Sequence, residues 1–217
     1  MPARQTDIRD ALLRRHGRTY AAELGVDPAR NTPSPLFRWF CAALLMSAPI
    51  SAGIALASAR ALAEAGWTTA GKMADSQWED RVRVLNRAGY GRYDERTARM
   101  LGEAAEMLQD RYAGDLRKLR EKAGRDPRAE RRLLKEFKGI GDVGTDIFFR
   151  EVQTAWDELY PFADGRALKA ADDLGLPATA QALGDLSGRG DLPRLLAAIV
   201  RADLAGESRE DILASAD

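Results

Sequence analysis

The sequence predicts an all-α fold, and three observations lead to this prediction. Of the 217 residues, 38 are alanine, the residue with the highest intrinsic helix propensity. Residues that start and end helices recur along the whole chain. The alternation of apolar and polar residues that is typical of half-buried strands is nearly absent. We therefore expect about ten short helices and no extensive sheet.

Capping signals place several of these helices. The pairs Ser34-Pro35 and Asp126-Pro127 each combine an N-cap residue with a proline suited to the first helical turn. Ser76 and Glu79 have the spacing of a capping box. Gly184–Gly190 is the strongest loop signal. In chain order, the helices are expected at 6–16, 36–47, 51–66, from 76 onward, 94–112, from 127 onward, 142–158, 165–174, 192–204 and 208–214.

Composition excludes several classes of protein. A single cysteine, Cys41, cannot form an internal disulfide, a Cys-ligated iron–sulfur cluster or a zinc finger. The apolar stretch 36–57 contains Arg38 and Pro49 and is too interrupted for a membrane span. Residues 1–10 lack the pattern of an export signal, so we expect a cytoplasmic protein that is nucleoid-associated if the source is prokaryotic.

The net charge of zero conceals an uneven distribution. The chain has 33 basic and 33 acidic residues, yet segment 117–138 carries a surplus of about six positive charges, whereas segment 139–173 is acidic. A neutral total argues against a protein that coats nucleic acid indiscriminately, so any such binding must come from a local patch. Alternatively, the basic segment is only a solvated helix surface.

A glycine turn follows the basic segment. In Phe137-Lys138-Gly139-Ile140-Gly141, two glycines flank an apolar residue, and a helix begins directly afterwards. Glycines permit positive φ and close approach of the backbone. The N–H groups of 141–144 then lie at a helix N-terminus, which favours an anionic phosphate. The alternative interpretation is an ordinary αα-hairpin.

This pattern resembles the helix-hairpin-helix DNA glycosylases of the endonuclease III type. The hairpin matches at 137–141, and the segment that begins with the family's catalytic aspartate matches at 162–171, which places Asp164 in the catalytic position. Weaker similarity extends upstream to 34–49 and to Gly89-Tyr90-Gly91-Arg92-Tyr93 with the basic helix after it. Asp164 is otherwise interpreted as the N-cap of the following helix.

The resemblance implies an architecture and a set of site residues. One lobe would comprise residues 36–146 and the other residues 1–35 plus 147–217, with the hairpin and Asp164 facing a groove between them. The implied partner is double-stranded DNA, with no membrane contact and a monomer as the default state. The implied DNA-binding residues are Lys135, Lys138, Gly139, Ile140, Gly141, Val143, Gly144 and Thr145. The implied pocket residues are Trp39, Pro49, Tyr90 and Tyr93.

Two departures from the family pattern narrow the expected activity. Val143 stands where bifunctional members carry a lysine nucleophile, and without that amine no Schiff base forms with the sugar. The four-cysteine cluster is also missing, so no cofactor is expected, apart from the monovalent cation that the resemblance allows at the hairpin, and no metal site is assigned. The expected function is a monofunctional DNA glycosylase that removes a damaged or mispaired base in base excision repair.

Two other function classes remain open. One is a non-catalytic helix-hairpin-helix DNA-binding protein descended from such an enzyme, with salt-dependent duplex binding and no base release. The other is a helical protein–protein interaction domain that binds no DNA. Base-release and gel-shift experiments distinguish the three.

Overall fold

The computed structural model describes residues 4–214, and within that range every regular element is helical, which confirms the all-α class. Residues 1–3 and 215–217, the ends of the predicted terminal lobe, lie outside the described residues. Fourteen α-helices and two short 3₁₀ helices, Pro28–Arg30 and Asp157–Leu159, are present in this range, more than the ten expected. The α-helices are α1 (Gln5–His16), α2 (Tyr20–Glu23), α3 (Pro33–Met46), α4 (Ala52–Glu64), α5 (Ala70–Ala74), α6 (Trp78–Arg87), α7 (Asp94–Tyr112), α8 (Leu116–Lys122), α9 (Pro127–Leu134), α10 (Asp142–Val152), α11 (Gly165–Asp173), α12 (Ala180–Ser187), α13 (Leu192–Ala205) and α14 (Arg209–Ala214).

Several helix ends differ from the sequence prediction. The Ser76 capping box is absent, because the Ser76 hydroxyl donates to the Met73 carbonyl and accepts from Arg81, and α6 begins at Trp78 instead. The predicted helix over 142–158 ends at Val152. There the side chain of Gln153 donates to the carbonyl of Arg150, so that carbonyl is satisfied without another helical turn.

The predicted loop at 184–190 is wrong over its first half. Residues 180–187 form α12, whose N-terminus is capped by the Thr179 hydroxyl, which accepts from the N–H of Ala182. Leu183 is fully buried in the hydrophobic core of this region. Burial of that apolar side chain stabilises a helix that the glycine-rich composition did not indicate.

The chain divides into two compact units, Leu24–Phe148 and a second one built from both ends, Met1–Glu23 with Phe149–Asp217. The sequence analysis predicted that the central unit would comprise residues 36–146. The segment 24–35, with the 3₁₀ helix Pro28–Arg30, belongs to the central unit.

The central unit is organised around α3 and α7. Helix α3 is apolar on nearly all sides and packs against α4, α7 and α8, while α7 also packs against α5 and α6. Phe40 lies edge-on to both Phe137 and Phe148, with ring centroids 5.1 and 6.3 Å apart. Phe137, two residues before the glycine turn, and Phe148, in the helix that follows the turn, are therefore both anchored to the core of this unit.

The unit built from both ends has its own core. Helix α1 inserts Ile8 and Leu12 against α13, which supplies Leu195, Leu196 and Ile199. Helices α11, α12 and α14 complete this cluster. Asp164 lies at the start of α11, so the core of this unit supports its backbone.

Candidate functional site

Of the two glycines in the turn at 139–141, Gly139 has the positive φ and the close contacts that the sequence predicted, and Gly141 has neither. Gly139 has a φ of +94°, and a Cβ at this position would lie 2.9 Å from the Sδ of Met100. A side chain there would be strained by the backbone conformation and crowded by α7. Ile140 is buried, and its N–H donates to the carbonyl of Phe137. Contacts of Gly139 with Met100 and burial of Ile140 thus fix the turn against the rest of the central unit.

The first turn of α10 is exposed where the hairpin enters it. Gly141 and Val143 are both exposed, and a Cβ on Gly141 would meet nothing within 4 Å. The intrahelical hydrogen bonds begin with the N–H of Thr145, which donates to the carbonyl of Gly141. The preceding N–H groups of the first turn are left for a ligand or water, as at any helix start.

Gly144 and Thr145 contribute to packing inside the central unit. A Cβ on Gly144 would lie 2.5 Å from the Oγ of Ser47, so a glycine here permits close packing of α10 against the end of α3. Thr145 is fully buried, and its hydroxyl donates to the carbonyl of Gly141. These two residues shape the hairpin.

The two hairpin lysines are ion-paired. The Nζ of Lys135 lies 2.8 Å from Oδ1 of Asp142, and Lys138 lies 3.2 Å from Glu103. Arg131 also approaches Asp142, and it pairs with Asp146 at 2.5 Å. The hydrogen bond from Lys135 holds the pKa of Asp142 below its usual value. The anion at the first position of α10 is therefore neutralised by the helix that precedes the turn.

Three of the four proposed pocket residues lie around one cavity. Pro49, Tyr90 and Tyr93 line a space of about 190 Å³, together with Arg96 and the hairpin's own Gly139. Tyr90 is nearly fully buried, and its hydroxyl donates to the carbonyl of Leu45. Burial raises the pKa of Tyr90 to about 12.

Trp39 does not line this cavity. It is 1% exposed, and its indole Nε1 donates to the carbonyl of Phe148 at 3.1 Å. A large apolar ring in the middle of α3 gains more from burial in the core than at a surface. The sequence-based assignment of Trp39 to a substrate pocket is therefore corrected to a core role.

Asp164 is a buried carboxylate in the unit formed by both ends of the chain. Its side chain is 3% exposed and accepts from the N–H groups of Arg166 and Ala167, so it is the N-cap of α11. The Nε of Arg150 donates to its second oxygen. The carboxylate of Asp164 thus caps α11 through one oxygen and forms an ion pair with Arg150 through the other.

Gln153 positions the backbone before Asp164. Its side-chain oxygen accepts from the N–H of Phe162, and its Nε2 donates to the carbonyl of the same residue. This pairing holds the segment that follows the cis peptide bond between Tyr160 and Pro161. Sequence reasoning missed Arg150 and Gln153, because neither lies in a recognisable motif and both act only through tertiary contacts.

A second buried carboxylate, Glu151, lies beside Arg150 in the chain. It accepts from the N–H groups of Tyr20 and Ala21 at 2.8 and 3.0 Å, and so caps the short helix α2. Loss of hydration on burial raises the pKa of Glu151 to about 7, although the backbone hydrogen bonds oppose this effect.

Comparisons of the chain with protein-family models, with curated proteins and with solved structures found no match. In residues 4–214, no helix is long and apolar enough to cross a membrane. No cluster of three or more histidine, cysteine or acidic residues suited to a metal ion occurs in that same part of the chain.

Proposed function

We propose that this protein is a monofunctional DNA glycosylase that hydrolyses the N-glycosidic bond of a damaged or mispaired base. The observation that carries the proposal is the Gly139-Ile140-Gly141 turn, which leads directly into an exposed first turn of α10. Its resemblance to the helix-hairpin-helix glycosylases supplies the reaction class.

The hairpin is suited to bind a DNA phosphate through the backbone. Exposed N–H groups at a helix start attract an anion without reading sequence, which is what an enzyme that scans DNA requires. Exposed Gly141 leaves room for a phosphate against these groups. Val143, with 58% of its surface exposed, offers an apolar contact to a deoxyribose next to that phosphate.

Asp164 is the proposed catalytic carboxylate. Cleavage of an N-glycosidic bond builds positive charge on the sugar, and a fixed carboxylate stabilises that charge and orients the attacking water. In this role the cap of α11 and Arg150 hold the carboxylate in one orientation. Because position 143 is a valine, no amine is available there for a lyase step through a Schiff base.

Base release from a panel of duplexes containing uracil, alkylated, oxidised and mismatched bases tests this proposal. Asp164→Asn alone would leave Arg150 without its anionic partner, so the informative variant is the double substitution Asp164→Asn with Arg150→Gln. We expect this variant to bind DNA but release no base. Arg150→Gln alone keeps the carboxylate but loses one of the groups that orient it, so we expect it to release base more slowly than the wild type. Circular dichroism at the assay temperature checks that both are folded. No release by the wild type on any duplex, or full release by the double variant, contradicts the proposal.

A non-catalytic DNA-binding protein is the second candidate. The burial of Asp164 favours it, because a carboxylate that is 3% exposed and ion-paired is already fully used in holding the fold. This candidate predicts duplex binding that weakens with salt and no base release from any lesion.

A further inference from the structure

Some of the basic side chains expected to contact DNA already form an ion pair with a carboxylate, and others do not. Lys135 and Lys138 are engaged by Asp142 and Glu103. To bind a phosphate, each lysine must give up or share its carboxylate. The net gain from such an exchange is smaller than the gain from a cation that has only water as a partner.

Two arginines of α7 lie next to the hairpin and have no such partner. Arg96 and Arg99 are both exposed, and within residues 4–214 no ion pair or hydrogen bond joins either guanidinium to another group. Their spacing of three residues places them on one side of the helix. They line a cavity of about 350 Å³ together with Lys138 of the hairpin.

Arg96 also borders the 190 Å³ cavity that contains Gly139, Tyr90 and Tyr93 in its wall. It thus lies between two cavities that each include a residue of the hairpin. The proximity is direct, since the Sδ of Met100, on the same helix, would lie 2.9 Å from a Cβ on Gly139.

The acidic residues near these arginines cancel only part of their charge. Glu95 and Glu103 line the larger cavity, but Glu103 is engaged by Lys138. Three cations therefore face two carboxylates, and the two arginines are the unpaired cations. The helix that carries them is firmly held, because Thr97, Ala98 and Leu101 are buried.

We infer that Arg96 and Arg99 bind the backbone phosphates of duplex DNA and form, with the hairpin turn, a continuous phosphate-binding surface of the central unit. This inference rests on the proposed function only in taking DNA as the ligand. Guanidinium groups bind phosphate through paired N–H donors, and a rigid helix fixes their spacing. Arg96 and Arg99 therefore contribute more to DNA affinity than the paired lysines of the hairpin.

Salt-dependent binding of a fluorescein-labelled, undamaged duplex to the full chain tests the inference. Each phosphate neutralised by the protein adds about 0.9 to the slope of log K against log salt concentration. We expect Arg96→Gln with Arg99→Gln to lower that slope by about 1.8, since two contacts are lost. Lys135→Gln with Lys138→Gln should lower it by less.

Arg128→Gln with Arg132→Gln is the matched control. These two arginines are also exposed, lie on one side of α9 and have no ion pair among the described residues. The control removes the same total charge, so it should leave the slope near the wild-type value if position decides binding. An equal loss in the control, no loss in the α7 variant, or no duplex binding by the wild type at low salt overturns the inference.

The result is independent of catalysis. If the α7 variant lowers the slope and the wild type releases no base, the inference stands and the glycosylase proposal fails. If base release occurs and the α7 variant binds like the wild type, the glycosylase proposal stands and the inference fails.

Discussion

Arg150 and Asp164 form an ion pair that is almost fully buried, with 11% and 3% of their side chains exposed. The Arg150 Nε donates to one carboxylate oxygen, while the other accepts from backbone N–H groups at the start of α11. The candidate catalytic group is therefore also a structural one, and the two roles must be separated by experiment.

A double-mutant cycle on this pair measures its structural role, as the contribution of the ion pair to the free energy of unfolding. We expect Arg150→Gln and Asp164→Asn each to lower the free energy of unfolding by about 3–5 kcal/mol, because each leaves a buried charge without its partner. The double variant should lose less than the sum of the two, because it removes both charges. Urea denaturation measures all three.

An exposed ion pair in the same unit provides the control for this cycle. Lys169 and Asp173 pair on the surface of α11, and Lys169→Gln should leave the free energy of unfolding close to that of the wild type. Strictly additive losses at Arg150 and Asp164 would show that the buried ion pair contributes no coupling.

The two glycines of the hairpin turn should respond differently to alanine. Gly139→Ala is expected to lower the free energy of unfolding by about 1–2 kcal/mol, because the residue has positive φ and its Cβ would crowd Met100. Gly141→Ala should leave stability within about 1 kcal/mol of the wild type, since its Cβ meets nothing.

The effect of Gly141→Ala should instead be seen in DNA affinity. A methyl group against the exposed N–H groups of α10 displaces a phosphate, and the loss of one hydrogen bond to a charged group weakens binding about tenfold or more. Fluorescence anisotropy of a labelled duplex measures this loss. Unchanged affinity in a folded Gly141→Ala variant is incompatible with phosphate binding at the turn.

Glu151 should make the protein less stable as the pH rises from about 4.5 to about 7. Its pKa of about 7 in the folded protein lies above the ordinary value of 4.5 for a glutamate, so between these values the folded state holds a proton that the unfolded state has released. Stability therefore falls across this interval, with a slope no steeper than the release of one proton allows, and is constant above it.

Glu151→Gln removes this titration and keeps one acceptor oxygen. Because Tyr20 and Ala21 donate to different oxygens of Glu151, the variant loses one of these hydrogen bonds at every pH, so the slope of the profile and not its height is compared. Urea denaturation at several pH values should show a flatter profile for the variant over pH 4.5–7. The prediction fails if the two profiles are parallel over this interval.

Trp39 should behave as a core residue. We expect Trp39→Phe to lower the free energy of unfolding by about 1–3 kcal/mol, since the buried hydrogen bond from the indole to the Phe148 carbonyl is lost. Trp78→Phe is the control, because the Trp78 indole also donates to a carbonyl, that of Glu95, but at a half-buried site. Equal losses in the two variants would contradict the core assignment of Trp39.

Local signals were enough to predict much of the fold. Asp126 caps α9 through the N–H of Ala129, and α7 spans the predicted residues 94–112. These features depend on a few neighbouring residues, so single-sequence patterns report them well. The Asp164 N-cap was likewise predicted from its position before Gly165.

The remaining features depend on tertiary contacts that no local pattern encodes. Helix α12 forms because Leu183 is buried, although glycine and serine suggested a loop. The ion pairing of Lys135 with Asp142 depends on how the hairpin folds back on itself. The unpaired state of Arg96 and Arg99 could not be predicted, because it requires knowing which carboxylates lie nearby.

The packing of α1 against α13 affects how the chain folds as it is synthesised. The guanidinium of Arg9 donates to the carbonyl of Leu186, which lies 177 residues further along the chain. On the ribosome, α1 therefore emerges long before its partners, while the central unit Leu24–Phe148 is continuous and can fold as soon as it has been made. The apolar side of α1 remains without its packing partners during that interval, and closure of this unit is a late, long-range step in folding.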